Sequence, residues 1–412
     1  NAQSLTDSQQ NIKANAKLIQ TKLNELFGGN KSKIFDFGKF IVNRCYLVAV
    51  STSSMKSAYR IFSILNDRGL DLLDSDILKA DIIGRLSEDS RDDYTEKWED
   101  LEEELGRKYF NDLFGHMRMI LLKRKLKKTI LDELKEFLLT EKSDPERFMD
   151  STLIPYADAF RIILNADYQN FQDPSKVNTI LRWLQRIDNS DWVPPSILFL
   201  SKHSNDIEML KRFFIKLERL AASLFIRRAG VNERIDRYAK IIAEMESNED
   251  ITLTESSLDL SDTEIKNTLE VINGDIYTLS TRARNYLLLR LNYWLSDGLQ
   301  WVDYKILTVE HVLPQRPSEN SDWINRYKWS PEAREYWLHK LGNLALLSKR
   351  KNSEAQNYDF KKKKDKYFKS SSGVSAFALT TPIIDIQEWT EDVVKARQQE
   401  FVEKIKTGWQ LV

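Results

Sequence analysis

The stretch "VEHVLPQ", residues 309–315, lies where the texture of this 412-residue chain changes. Upstream, apolar residues recur at helical spacing for about two hundred positions. From "YKILTVEHVLP" (304–314) onward the pattern turns strand-like, with Pro314 stopping the strand. A tryptophan-rich irregular stretch follows, carrying Trp323, Trp329 and Trp337, and then a second short strand in "KLGNLALLSKRKN" (340–352). "SEAQNYDFKKKKDKYFK" (353–369) reads as a basic helix and "WTEDVVKARQQEFVEKIKTGW" (389–409) as a closing one. The expected fold class is therefore mainly α, with a helical bundle-like middle and a small C-terminal α+β region. Three domains are expected, over residues 1–88, 89–299 and 300–412.

Composition supports helices. Thirteen glycines and nine prolines are few for this length, and the 42% hydrophobic and 30% charged residues are ordinary for a globular protein. Lys plus Arg and Asp plus Glu both number 62, so no global charge announces a nucleic acid and any basic surface is local. The single cysteine, Cys45, rules out an intrachain disulfide; set in the apolar run "NRCYLVAV", it reads as a buried free thiol. No apolar run approaches the roughly 18 residues of a membrane span, and no signal-peptide pattern opens the chain. A reducing cytoplasm fits these features.

In the first half, residues 5–27 read as a helix ended by "GGN", and "CYLVAVSTS" (45–53) as a strand. Residues 55–86 read as two helices joined at "NDRGLDLLDS", with Asp74 or Ser75 capping the second. From 90 to 300 helices continue, broken at "SDPER", "DPSK", "NSDWVPPS" and "SNED". His116 and His203 fall within them and read as packing residues.

Chemistry concentrates around His311. Hydrolysis of a phosphodiester needs a base for water and a cation against phosphate charge. Histidine suits the first near neutral pH, and magnesium, which keeps several waters, needs few protein oxygens. Glu310 and His311 are followed by Asn343 in "LGNLALL" and by Asn352, nine residues on. Taken singly, Asn343 also reads as a turn residue and Asn352 as a helix N-cap. In a regular strand Glu310 and His311 point to opposite faces, so a shared site requires the strand to bend or end there.

The set "VEHVLPQ … LGNLALLSKRKNSEAQNYDFKKK" resembles the C-terminal nuclease domain of GmrSD-type modification-dependent restriction proteins, of the HNH or ββα-metal class. The resemblance covers roughly 300–412. It implies that His311 is the general base, that Asn343 orients it by a hydrogen bond, and that Glu310 with Asn352 binds magnesium or manganese. It implies a DNA endonuclease of prokaryotic phage defence, acting on DNA according to its modification; the alternative is a DNA-binding or regulatory module with a vestigial site. The gap of 32 positions from His311 to Asn343 implies an insertion packed down by its tryptophans, with His339 at its end. For His339 a structural role outweighs a second catalytic one.

A second resemblance lies in "AYRIFSILNDRGLDLLDSDILKADII", whose Asn66, Arg68, Gly69 and Leu70 match the close of the ParB-like N-terminal domain of the same proteins. The Asp-Gly-Gln-Gln-Arg motif that goes with nucleotide hydrolysis there is not found in this sequence. Either the chain is the C-terminal portion of a longer protein whose upstream part carries that motif, or this copy lacks the nucleotide site; Asn1 in place of Met favours the former.

Between Lys349 and Lys369 nine basic residues face three acidic ones. Lys349, Arg350, Lys351, Lys361, Lys362, Lys363 and Lys364 are expected to radiate outward and hold DNA phosphates without reading sequence, with Gln315 near the scissile bond.

Overall fold

A computed structural model describes residues 7–46, 72–140, 144–246, 250–299, 307–348, 357–365, 369–370, 373–374 and 377–411. Its residues divide into two compact units, 1–118 with 126–157, and 119–125 with 158–412. The second unit runs across position 300 without division. The class is mainly α with a small C-terminal α+β region, as the sequence pattern predicts.

In the first unit, α1 (Asp7–Phe27) and α2 (Lys31–Arg44) form a hairpin turned by Gly28 and Gly29, whose positive φ angles of 57° and 74° suit glycine. Asn30 caps α2 by accepting the Ser32 and Lys33 amides at 3.0 and 3.2 Å. Cys45, which ends α2, is exposed rather than buried, because the helix places its apolar residues outward along with it. The strand expected at 45–53 lies outside the described residues from 47 onward, as do Asn66, Arg68, Gly69 and Leu70.

The next helices are α3 (Asp74–Ile83), α4 (Glu88–Leu105), α5 (Arg107–Leu122), α6 (Ile130–Thr140) and α7 (Pro145–Phe148). Leu73, not Asp74 or Ser75, caps α3: its amide donates to Asp76 Oδ2 at 2.8 Å, which draws the helix start one residue earlier. Trp98, Phe110 and Phe114 build an aromatic core with ring centroids 5.3–5.6 Å apart. Arg118 Nε meets Glu133 Oε2 at 2.5 Å in the same interior.

The second unit continues with α8 (Ile154–Asn165), α9 (Ser175–Leu184), α10 (Val193–His203), α11 (Ile207–Ile226), α12 (Val231–Glu244), α13 (Asp262–Ile272) and α14 (Thr281–Leu295). The breaks at "DPSK" and "NSDWVPPS" precede α9 and α10 because Asp173 accepts the Ser175 amide at 2.9 Å and prolines open α10. Asp206 and Ser280 likewise cap α11 and α14 by accepting the Met209 and Ala283 amides. Buried Glu218 of α11 gathers the Tyr286 hydroxyl at 2.6 Å and two Arg290 nitrogens at 3.1 Å. A buried carboxylate is tolerable only with such full pairing.

Downstream, β1 (Leu307–His311) pairs antiparallel with β2 (Leu344–Ser348), with His311 opposite Leu344 and Glu310 opposite Ala345. Between them the tryptophan-rich insertion folds into α15 (Asp322–Asn325) and α16 (Pro331–Trp337). Trp323, Trp329 and Trp337 join Trp389, Leu313, Leu347 and Phe360 in one core, as the insertion was expected to do. Each indole N–H is satisfied: Trp323 donates to Tyr358 O, Trp329 to Trp389 O and Trp337 to Glu391.

After β2 come α17 (Phe360–Lys363), a small hairpin of β3 (Lys369–Ser370) with β4 (Gly373–Val374), and α18 (Glu391–Trp409). The long basic helix expected over 353–369 is not what forms. Residues 357–359 are non-helical, Asp359 caps the short α17, and Lys369 lies in a strand. Asp359 also accepts the Asp322 amide at 2.9 Å, which ties the helix start to the insertion.

Candidate active site

The site sits where β1 ends. Leu307, Val309 and His311 share one face of the strand and Thr308 and Glu310 the other. β1 stops at His311, and the chain then turns through buried Val312, Leu313 and Pro314. Termination, not a bend within the strand, lets both Glu310 and His311 border one pocket of about 230 Å³, together with Gln315, Arg316, Asn357 and Lys363.

Asn343 makes that turn. It is fully buried at the end of a 3-10 turn, Leu341–Asn343. Its Oδ1 accepts the Leu313 amide at 2.7 Å and Trp389 Nε1 at 3.3 Å, and its Nδ2 donates to Leu313 O at 3.1 Å and Leu338 O at 2.9 Å. The expected hydrogen bond from Asn343 to the imidazole is thus replaced by a two-way clamp on the backbone two residues beyond His311. Gly342 before it is required by close approach: a Cβ there would meet Val394 O at 2.3 Å. Gln398 Oε1 accepts the Gly342 amide and Arg397 donates to its carbonyl, so α18 seats the turn.

The imidazole of His311 is held by other groups. Its Nε2 is 3.1 Å from His339 Nδ1, and its Nδ1 is 3.3 Å from the Gln315 amide nitrogen. The Tyr277 ring lies against it, with centroids 4.1 Å apart, and the Arg284 guanidinium lies over the Tyr277 ring at 4.5 Å. Burial above all, then the neighbouring His339, Lys363 and Arg284, pushes the His311 pKa down to about 3, so the ring is neutral at physiological pH.

Lys363 is the largest departure from expectation. It does not radiate outward: it is 1% exposed, and its Nζ donates to Glu310 Oε1 at 2.8 Å and to His311 O at 2.6 Å. Burial lowers its pKa, against the pull of Glu310. Lys364 also turns inward, donating to Ile384 O and Ile386 O, whereas Lys361 and Lys362 are exposed. The reason is helical register. Phe360 is buried in the core, and residues three and four along share its face. Lys349, Arg350, Lys351 and Asn352 lie outside the described residues.

Among the described residues no group of three or more His, Cys, Asp or Glu could hold a metal ion. The donor chemistry still fits a hydrated hard cation: Glu310 spends Oε1 on Lys363 while its carboxylate borders the pocket, and magnesium is content with one or two protein oxygens. Tyr277 is the site residue that no sequence motif marks, 34 positions before His311. His339 carried a usable signal, as one of four histidines lying a few residues from Asn343.

Searches among curated proteins and among solved structures returned no match. Residues 261–404, which span the site from Tyr277 to Gln398, match a family model: GmrSD restriction endonucleases, C-terminal domain.

Proposed function

We propose that this chain is a DNA endonuclease that hydrolyses phosphodiester bonds, with His311 as general base. The observation carrying this reading is a buried, neutral imidazole that shares a pocket with a carboxylate, inside the stretch that matches the GmrSD C-terminal domain. The neutral ring can take a proton from water as the water oxygen attacks phosphorus and the sugar oxygen departs. A pKa of about 3 makes the resting base weak. An anionic phosphate entering the pocket favours the imidazolium and raises that basicity when substrate is present. Magnesium or manganese, bound by Glu310 with Asn352, would stabilise charge on the phosphate and the leaving oxygen. Lys363 fixes the Glu310 carboxylate and the His311 carbonyl together, and Asn343 holds the turn behind them.

For DNA, the exposed Lys361 and Lys362 and the exposed Gln315 and Arg316 at the pocket mouth offer phosphate contacts. Lys349, Arg350 and Lys351 belong to the same proposed surface. The biological setting we propose is modification-dependent restriction in the cytoplasm of a prokaryote, with an upstream ParB-like nucleotide-hydrolysing domain as partner. Among the described residues no helix is long and apolar enough to cross a membrane.

The Lys363–Glu310 ion pair favours one competing reading, a DNA-binding or regulatory module whose cutting site is vestigial. A plasmid-nicking assay with magnesium decides between them. The wild type should relax supercoiled plasmid, and His311→Ala should not, while circular dichroism and DNA binding stay unchanged. Undiminished cutting by His311→Ala would refute the base assignment, and binding without cutting by the wild type would establish the module.

A further inference from the structure

We infer that His339 is the positioning residue of the base: by accepting the Nε2 proton it holds the tautomer and orientation of His311 jointly with Gln315, which meets Nδ1 on the pocket side. The inference rests on the reading of His311 as the base. The Gln315 amide nitrogen, 3.3 Å from His311 Nδ1, can only donate, so Nδ1 accepts and carries no proton. The single proton of the neutral ring is then on Nε2, which donates to His339 Nδ1 at 3.1 Å. The proton on His339 is in turn on its Nε2. Both rings are thereby assigned by hydrogen-bond logic, and the one lone pair of His311 lies on the Gln315 side, where the exposed Gln315 amide must swing aside before a water in the pocket that Glu310 borders can use it.

His339 is built for this task. Its carbonyl accepts the Tyr277 amide at 3.0 Å, and its ring stacks on Tyr277 at 5.5 Å with 13° between planes. The adjacent Lys340 donates to Asn273 O at 3.1 Å, and Trp337 two residues earlier is buried in the core. Tyr277 touches both imidazoles, so the pair is wedged from one side while the hydrogen bond sets the other. This is the duty that Asn343, spent on the backbone, does not perform.

The test uses the full chain with 15N-labelled histidine. Four histidines make the long-range 15N–1H spectrum tractable, and His311→Gln assigns the His311 signals. The wild type should show His311 as the Nε2–H tautomer. His339→Leu, which removes the acceptor, should mix the tautomers and lower nicking on the order of 100-fold. His339→Asn, whose Oδ1 stands near the lost Nδ1, should restore the tautomer and most of the activity. A predominant Nδ1–H tautomer in the wild type, or a His311 spectrum indifferent to His339→Leu, overturns the inference whatever the activity. Should His311→Ala cut normally instead, the base assignment fails, and the tautomer readout still reports on the histidine pair alone.

Discussion

Replacing Asn343 by Ala tests the central claim that this side chain shapes the site through the backbone. The change strips partners from two buried donors, the Leu313 amide and Trp389 Nε1, and from two carbonyls, Leu313 O and Leu338 O. An unsatisfied buried polar group costs about 1–3 kcal/mol. Water entering the small hole re-pairs some of them, so the net loss is about 3 kcal/mol rather than the sum. The Val312 amide bond to the Asn343 backbone carbonyl survives the substitution. Hydrogen exchange of the segment around Leu313 reads this directly: at about 1.4 kcal/mol per tenfold, its amide should exchange on the order of 100-fold faster. Nicking should fall in parallel, because Pro314 and Gln315 lose their seat beside His311. Asn343→Asp keeps the acceptor but turns an oxygen on two carbonyls, and should be at least as damaging. Unchanged protection at Leu313 together with lost nicking would refute the clamp and return Asn343 to direct contact with the reaction.

Lys363→Met keeps the length and removes the charge; because Glu310 borders the pocket and can hydrate, the expected stability loss is about 1–2 kcal/mol by chemical denaturation. A neutral or stabilising result would show that the ion pair contributes nothing to folding. Lys361→Glu with Lys362→Glu should weaken binding of all DNA sequences alike and flatten the salt dependence by about 0.9 per lost phosphate contact, measured by titration at several salt concentrations. Sequence-selective loss would contradict a phosphate role. Burial holds the pKa of His116 down at about 4 and that of His311 at about 3, from 6.5. The unfolded chain therefore binds more protons between those values, so this contribution to stability is complete above pH 6.5 and falls as pH drops toward 3–4. His116→Gln should shallow the decline in unfolding temperature over that range, and an identical profile would show that His116 is not buried neutral.

The helical architecture was legible because amphipathic spacing and capping residues report directly on backbone geometry. The strands at "LTVEH" and "LALLS" were legible for a similar reason, as two apolar runs flanked by proline and glycine turns, though their pairing shows only in the fold. Burial of the tryptophans followed from their size. The interior role of Lys363 was hidden inside a run of four lysines, where composition says surface. Only the position of Phe360 three residues before it, on the same helical face, carried the contrary signal. Asn343 was recognised but given the wrong partner, since a motif records which residues meet and not which atoms bond. Tyr277 was beyond reach because its contact with His311 depends on how α13 and α14 pack, which no local pattern encodes.

One helix connects two remote requirements. The middle of α18 seats Gly342 through Arg397 and Gln398, and its last turn delivers Trp409 Nε1 to Glu218 at 3.1 Å, in the core formed by α11 and α14. Eleven residues of helix, about 16 Å, separate the two attachments. Genetic dissection of the chain is constrained accordingly. Cutting near residue 300 to isolate the strands would sever Trp409 from Glu218, Leu379 from Asn292 and His339 from Tyr277 in one stroke. Ending the chain short of Trp409 would free the far end of the rod on which the Leu341–Asn343 turn rests. The smallest piece worth expressing for activity therefore reaches back at least through α11, and its C-terminus is a structural member rather than a tail to be trimmed.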